Sequence, residues 1–93
     1  MMKYELRITS KMKKDVRRCK KRGLDLDKLK TITDTLCAGI PLAPQHRDHA
    51  LSGDWAGYRE CHIENDWLLI YTIDSGELIL FASRTGAHAD FGW

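Results

Sequence analysis

Ninety-three residues, 43% of them hydrophobic and 30% charged, suit one small core, because a second would leave each half too small to offset chain entropy. No run approaches the roughly 18 consecutive apolar residues needed to cross a bilayer, and Met-Met-Lys-Tyr-Glu-Leu-Arg lacks the apolar region of a secretory signal. The formal charge of +2 hides a segregation: residues 1–30 hold twelve Lys/Arg against four acids (+8), and residues 31–93 hold three Arg against nine acids (−6). A segregated basic segment attracts polyanions such as nucleic acid, or an acidic protein partner. Cys19, Cys37 and Cys61 are odd in number and lack any C-x-x-C pairing, which fits a reducing, cytoplasmic compartment. The expectation is a single domain over 1–93, with no membrane association.

In chain order, Lys3–Thr9 alternates so that Tyr4, Leu6 and Ile8 share one face, the pattern of a half-buried strand. Thr9 or Ser10 can cap a helix whose Met12, Val16 and Cys19 form a thin apolar stripe. Lys11, Lys13, Lys14, Arg17, Arg18, Lys20, Lys21 and Arg22 cover the rest of it, either as a solvated face or as a surface for a polyanion. Gly23 is a left-handed stop. Asp25 or Asp27 opens a second helix with Leu26, Leu29, Ile32 and Leu36 on one side, ended by Gly39 and Pro41. The short link makes an αα-hairpin.

Residues 39–53 have no usable periodicity and read as a long loop carrying His46, Arg47, Asp48 and His49; loops of that length in small domains are usually functional. From Trp55 the signals turn to β. Tyr58–Ile63, Trp67–Ile73 and Leu78–Ser83 are strands joined by Glu64-Asn65-Asp66 and Asp74-Ser75-Gly76, an antiparallel meander. Arg84–His88 leaves the last strand towards a short tail. The fold class is α+β, a β-α-α-β-β-β chain with an αα-hairpin on a small, mostly antiparallel sheet.

Strand ends and adjoining loops hold His49, His62, Asp66, Arg84 and His88, the positions where a sheet usually presents a site. If they converge, the pocket contains proton-transfer groups and one permanent cation. Such a set suits metal-free phosphodiester cleavage: one group takes the 2′-OH proton, another protonates the departing 5′ oxygen, and a guanidinium steadies the phosphate. No cofactor is called for. A metal site from His46-x-x-His49 with Cys61 or His62 is a weaker alternative, since Cys61 and His62 face opposite ways on a strand. Arg84 could instead pair structurally with Asp66 or Glu60, His62 could bond within the sheet, and Trp55 and Trp67 could be core or pocket wall. Composition and spacing leave enzyme and RNA-binding module undecided.

The run Arg47-Asp48-His49-Ala50-Leu51-Ser52-Gly53-Asp54-Trp55 resembles the D-H-x-L-x-G-x-W stretch of the YafQ-like toxins of the RelE superfamily. The likeness continues through Tyr58-Arg59-Glu60-Cys61-His62-Ile63, Asp66-Trp67-Leu68-Leu69-Ile70-Tyr71 and Arg84-Thr85-Gly86-Ala87-His88-Ala89-Asp90-Phe91, about half the chain in family order. The resemblance implies a RelE-like fold and a monomeric bacterial type II toxin that cleaves mRNA in the ribosomal A site and is inhibited by a cognate antitoxin. It places His49, His62, Asp66, Arg84 and His88 on catalytic positions but leaves the base and acid among the histidines open; the assignment taken here is His49 as base and His88 as acid. Trp67, Phe91 and Arg47 become substrate contacts, and the basic helix a ribosomal-RNA surface. Asn65 replaces a common Pro, Ala87 replaces Thr or Ser, and Trp93 follows Phe91 as a second tail aromatic.

Overall fold

In the computed structural model, which describes residues 2–93, the first alternating run forms strand β1 (Glu5–Ile8). Thr9 caps helix α1 (Ser10–Lys21) by accepting a 3.1 Å bond from the Met12 N–H, while its own hydroxyl donates to the Ser83 carbonyl at 2.9 Å. One side chain therefore caps the helix and ties its start to the last strand. Gly23, at φ +81°, turns the chain into helix α2 (Leu26–Cys37), which Asp25 caps through the Asp27 N–H.

The meander follows as β3 (Arg59–Glu64), β4 (Trp67–Asp74) and β5 (Ile79–Gly86). A two-residue strand β2 (His49–Ala50) precedes it, inside the segment expected to be loop. Single-turn helices at Pro44–His46, Gly53–Trp55 and His88–Phe91 shape the connections. The sheet order is β1-β5-β4-β3-β2, with β1 parallel to β5 and the other pairs antiparallel. The β-α-α-β-β-β plan thus holds with one added edge strand. No described helix is long and apolar enough to cross a membrane.

Two expectations about β1 and β5 need correction. Leu6 and Ile8 are 38% and 44% exposed, because β1 is an edge strand over which the helices leave an apolar groove of about 240 Å³. The last strand starts and ends later than Leu78–Ser83. Leu78 takes a left-handed φ of 57° in the turn, whose Gly76 and Glu77 N–H groups donate to the Asp74 carboxylate, and Arg84-Thr85-Gly86 stays in the sheet.

Helices and sheet enclose Met12, Cys19, Leu29, Ile32, Leu36, Cys61, Leu69, Tyr71 and Leu80. β4 is buried from Trp67 to Tyr71, as its apolar run required. A bulge then sets the phase of β5. Leu80 and Ala82 face the core, and strict alternation would send Arg84 there too. Pairing jumps instead from Tyr71 with Ala82 to Ile70 with Arg84, leaving Ser83 as the extra residue. Thr85 takes the buried position beside Leu69, and Arg84 falls in line with Ile70 and Glu60.

Leu69→Ala should cost about 2–5 kcal/mol in urea unfolding, through the cavity it leaves. Ile8→Ala, at the open groove, should cost less than about 1 kcal/mol. Equal losses at both positions would mean that the groove is covered in solution.

Candidate active site

The register of the sheet decides which side chains meet. Glu60 and His62, two apart on β3, share a face. Glu60 is opposite both His49 on β2 and Ile70 on β4, and Ile70 is opposite Arg84. The Glu60 carboxylate, only 4% exposed, approaches His62 Nε2 at 3.2 Å and His49 Nε2 at 3.9 Å. The other nitrogen of His49 lies 2.6 Å from the Arg47 carbonyl, so the loop backbone holds the ring. Arg47 itself adopts the left-handed conformation, φ 47°, and lines a pocket of about 450 Å³ with Gln45, His46, His62, Asn65 and His88.

His88 enters from the other side. Its backbone N–H and Nδ1 lie 3.1 and 2.5 Å from Asp66 Oδ1, which makes Nδ1 the donor and leaves Nε2 for other work. These two contacts, the backbone N–H first, hold the Asp66 carboxyl below its ordinary range. The His62 and His88 ring centroids are 5.7 Å apart. His49, His62 and His88, from a loop edge, a strand and a tail, thus converge on one cleft with Glu60 and Asp66. His46 does not join as a free imidazole: its Nδ1 bonds the His62 carbonyl at 2.7 Å. It holds the long loop against β3.

Arg84 pairs with neither Asp66 nor Glu60, as one reading of the sequence had it. Its partner is Asp15 on α1, 2% exposed, at 2.6 Å from Nε and 3.2 Å from Nη2. The same carboxylate accepts the Thr85 N–H at 3.2 Å and Arg18 Nη2 at 2.8 Å. The hydrogen bonds to Asp15 keep the Arg84 pKa above its usual value. The guanidinium carbon lies 5.0 Å from the Phe91 ring centroid, a cation–π contact. Asp15 escaped the sequence reading because a lone acid amid eight cations looks solvated; its signal was its place between Met12 and Cys19, on the apolar stripe.

A second carboxylate fixes the tail. Asp90 forms a fork–fork pair with Arg22 at 2.7 and 2.9 Å, meets Arg18 at 3.2 Å and accepts the Ala87 N–H at 2.8 Å. The Arg22 pair, first among these contacts, depresses the Asp90 pKa strongly. Gly86 makes this approach possible, since a Cβ there would lie 2.5 Å from Asp90 Oδ2. Arg18 and Arg22 are therefore ion-paired struts between α1 and the tail, with side chains still 39% and 42% exposed. Lys11, Lys13, Lys14, Arg17, Lys20 and Lys21 have no ion-pair partner among the described residues.

Of the aromatic expectations, the core reading of Trp67 holds and its role as a substrate contact does not. Trp67 is buried and its indole N–H donates to Thr85 Oγ1 at 2.9 Å, so it packs the interior and offers no face to a base. Phe91 is half-buried between Arg84 and Trp93, whose ring centroid is 5.5 Å away. The Trp93 ring centroid also lies 6.3 Å from that of His88 and 6.0 Å from that of Trp55, so the tail aromatics cluster beside His88. The ligand set built on His46 and Cys61 is not assembled: His46 is tied to the backbone, and Cys61 is fully buried with its thiol pushed up to about 12. The residues placed to hold a metal are Glu60, His62 and His88.

The family model described as the bacterial toxin of the type II toxin–antitoxin system, YafQ, matches residues 4–92. The chain belongs to that family. It is 39% identical over 90 residues to the mRNA interferase toxin YafQ of Escherichia coli K12, covering 96% of each chain. A metal-bound toxin from Helicobacter pylori superposes with a TM-score of 0.88 at 37% identity, covering 97% of this chain and 98% of that one. The toxin in the E. coli DinJ–YafQ toxin–antitoxin complex gives 0.84 at 37% identity, covering 96% and 97%. The fold is the RelE-like α+β arrangement expected from the motifs.

Asp15→Ala should destabilise the protein by about 3–5 kcal/mol, because it leaves the Arg84 guanidinium without its buried partner; chemical denaturation measures this. Asp90, with its depressed folded pKa, contributes stability above its unfolded pKa of about 3.9 and loses it as pH falls towards the folded value. Asp90→Asn should therefore be less stable at pH 7 and should lose less stability than wild type when acidified below about pH 4. Parallel pH profiles for the two proteins would remove Asp90 from the account.

Proposed function

We propose that this chain is a ribosome-dependent endoribonuclease toxin that cleaves mRNA in the A site without a metal. Family membership makes it a type II toxin and mRNA interferase in class; the finer mechanism is our reading of the cleft. The observation that carries it is His88, fixed by Asp66 at 2.5 Å beside His62, on the same face that holds Glu60, His49 and Arg84.

In this scheme His49 Nε2 takes the proton from a ribose 2′-OH. The 2′ oxygen attacks phosphorus, and the bond from phosphorus to the 5′ oxygen breaks. His88, protonated and with Nδ1–H on Asp66, gives the proton on its other nitrogen to the departing 5′ oxygen. The products are a 2′,3′-cyclic phosphate and a 5′-hydroxyl, so protons and bonds balance. His62, braced by Glu60, orients the substrate, and Arg84 stabilises charge on the phosphorane. Arg84 is held by Asp15 and so needs little reordering when that charge appears. Arg47 at the pocket edge meets the backbone, and Phe91 with Trp93 offers aromatic surface to a base.

The six unpaired cations of α1 would dock ribosomal RNA, in an association that weakens steeply with salt. A cognate antitoxin partner follows from the DinJ–YafQ complex of the E. coli relative. An antitoxin segment that folds against this protein and covers the cleft would silence it.

His88→Ala should reduce mRNA cleavage on ribosomes by about 10²–10⁴-fold, relieving growth arrest while folding and antitoxin binding persist. Undiminished cleavage in that variant would remove His88 as the acid. Growth arrest without discrete mRNA cuts in the wild type would favour a non-catalytic binding module instead.

A further inference from the structure

The cleft has two unlike ends. His49 stands at one, and at the other His62 and His88 line a pocket of about 450 Å³ in which His49 takes no part. That volume is within the roughly 300–1,000 Å³ of small-ligand sites. Imidazole rings beside an aliphatic side chain, here Ile63, suit the flat of an unstacked nucleobase. Most polar groups around the pocket are already engaged. His46 Nδ1 bonds the His62 carbonyl, His88 Nδ1 is on Asp66, His62 Nε2 meets Glu60, and Glu64 pairs with Lys28. The side-chain amides of Gln45 and Asn65 are the exceptions. Both are exposed, and neither is hydrogen-bonded among the described residues.

The backbone sets the place of each amide. Gln45 lies in the single turn Pro44–His46, with proline at its start and its neighbour His46 anchored to β3. Asn65 lies with Asp66 in the two-residue link between β3 and β4, where Asp66 fixes His88. One turn thus carries both the support of the acid and an amide beside it. The proline common at this position in the family has no polar side chain to offer, so the Asn65 amide belongs to this chain.

We propose that Gln45 and Asn65 read the base of the nucleotide on the 3′ side of the cut, and that the base they accept is adenine. The side follows from the chemistry. His88 protonates the departing 5′ oxygen, so the nucleotide bearing that oxygen lies at the pocket, and the one supplying the 2′-OH lies towards His49. The base follows from the amides. Each presents a carbonyl acceptor next to an NH₂ donor, the pair that matches adenine N6–H and N7. Adenine N6 carries two hydrogens between two ring acceptors, so one amide can take the N7 side and the other the N1 side. A second hollow of about 380 Å³ adjoins across Gln45 and His46 and reaches Lys28 on α2, which leaves room for the strand to continue. This assignment rests on the nuclease reading and on His88 as its acid.

The test programs ribosomes with messages that differ only in the base following the mapped cut. Initial cleavage rates are measured for the full-length wild type, Gln45→Ala, Asn65→Ala and Asn65→Pro. The wild type should cut before adenine about 5-fold or more faster than before any other base. Gln45→Ala should bring that ratio towards one, and both Asn65 variants should lower it part of the way. A change that merely loosens the turn around Asp66 slows every message alike and leaves the ratio where it was. A wild type indifferent to that base or preferring another, or ratios unchanged in Gln45→Ala and Asn65→Ala, overturns the proposal and leaves the nuclease reading standing. An effect of the variants confined to the base before the cut overturns the placement beside the leaving nucleotide. A wild type that cuts no message overturns the nuclease reading, and this assignment with it.

Discussion

The contact on which the arrangement depends is the buried pair between Asp15 and Arg84. A carboxylate 2% exposed cannot remain charged without partners, and it has three donors besides the solvent it lost: the Arg84 guanidinium, the Thr85 N–H and Arg18. Removing the Arg84 guanidinium would leave the buried carboxylate poorly compensated. The pair therefore joins α1 to the end of β5 with a definite geometry, as nonspecific apolar packing would not. The bulge at Ser83 is its backbone counterpart. It shifts the phase of β5 so that Thr85 fills the interior while Arg84, in line with Ile70, reaches Asp15.

This contact changes the meaning of the basic helix. A helix with eight cations in twelve residues and its C-cap would repel itself if all faced water. Arg18 and Arg22 are neutralised by Asp15 and Asp90, and the other six have no ion-pair partner among the described residues. The helix thus has two jobs that composition merges into one number. Its paired cations hold the tail that bears His88, and its unpaired cations give that face a positive field. The acids that brace it come from inside the helix itself and from the opposite end of the chain.

How much of this could be read from the residues follows from the range of each interaction. Local signals worked. The Thr9 and Asp25 caps, the apolar periodicity of α2 and the β-rich meander all act within a few residues, and the folded elements follow them closely. The meeting of His49, His62, Asp66 and His88 was legible because strand ends gather loops, whereas Arg84 is held by Asp15, a partner the motifs did not name. Long-range pairing was not visible. Asp15 and Arg84 are 69 residues apart and Arg22 and Asp90 are 68 apart, and nothing in the spacing of either names the other. Strand β2 escaped because two residues hold no period. Trp67 read as core or pocket wall from its apolar run and as a substrate contact from the motif beside Asp66, and the Thr85 hydroxyl that accepts its indole N–H settles it as core.

The cleft that results alternates carboxylates with imidazoles: His49, Glu60, His62, then His88 and Asp66. Each acid fixes the direction of a ring, which proton transfer needs because a freely rotating imidazole spends little time aimed at its target. Glu60 does this for His62 from within β3, and Asp66 does it for His88 from the turn between β3 and β4, so one ring is set by the strand and the other by the connection beside it.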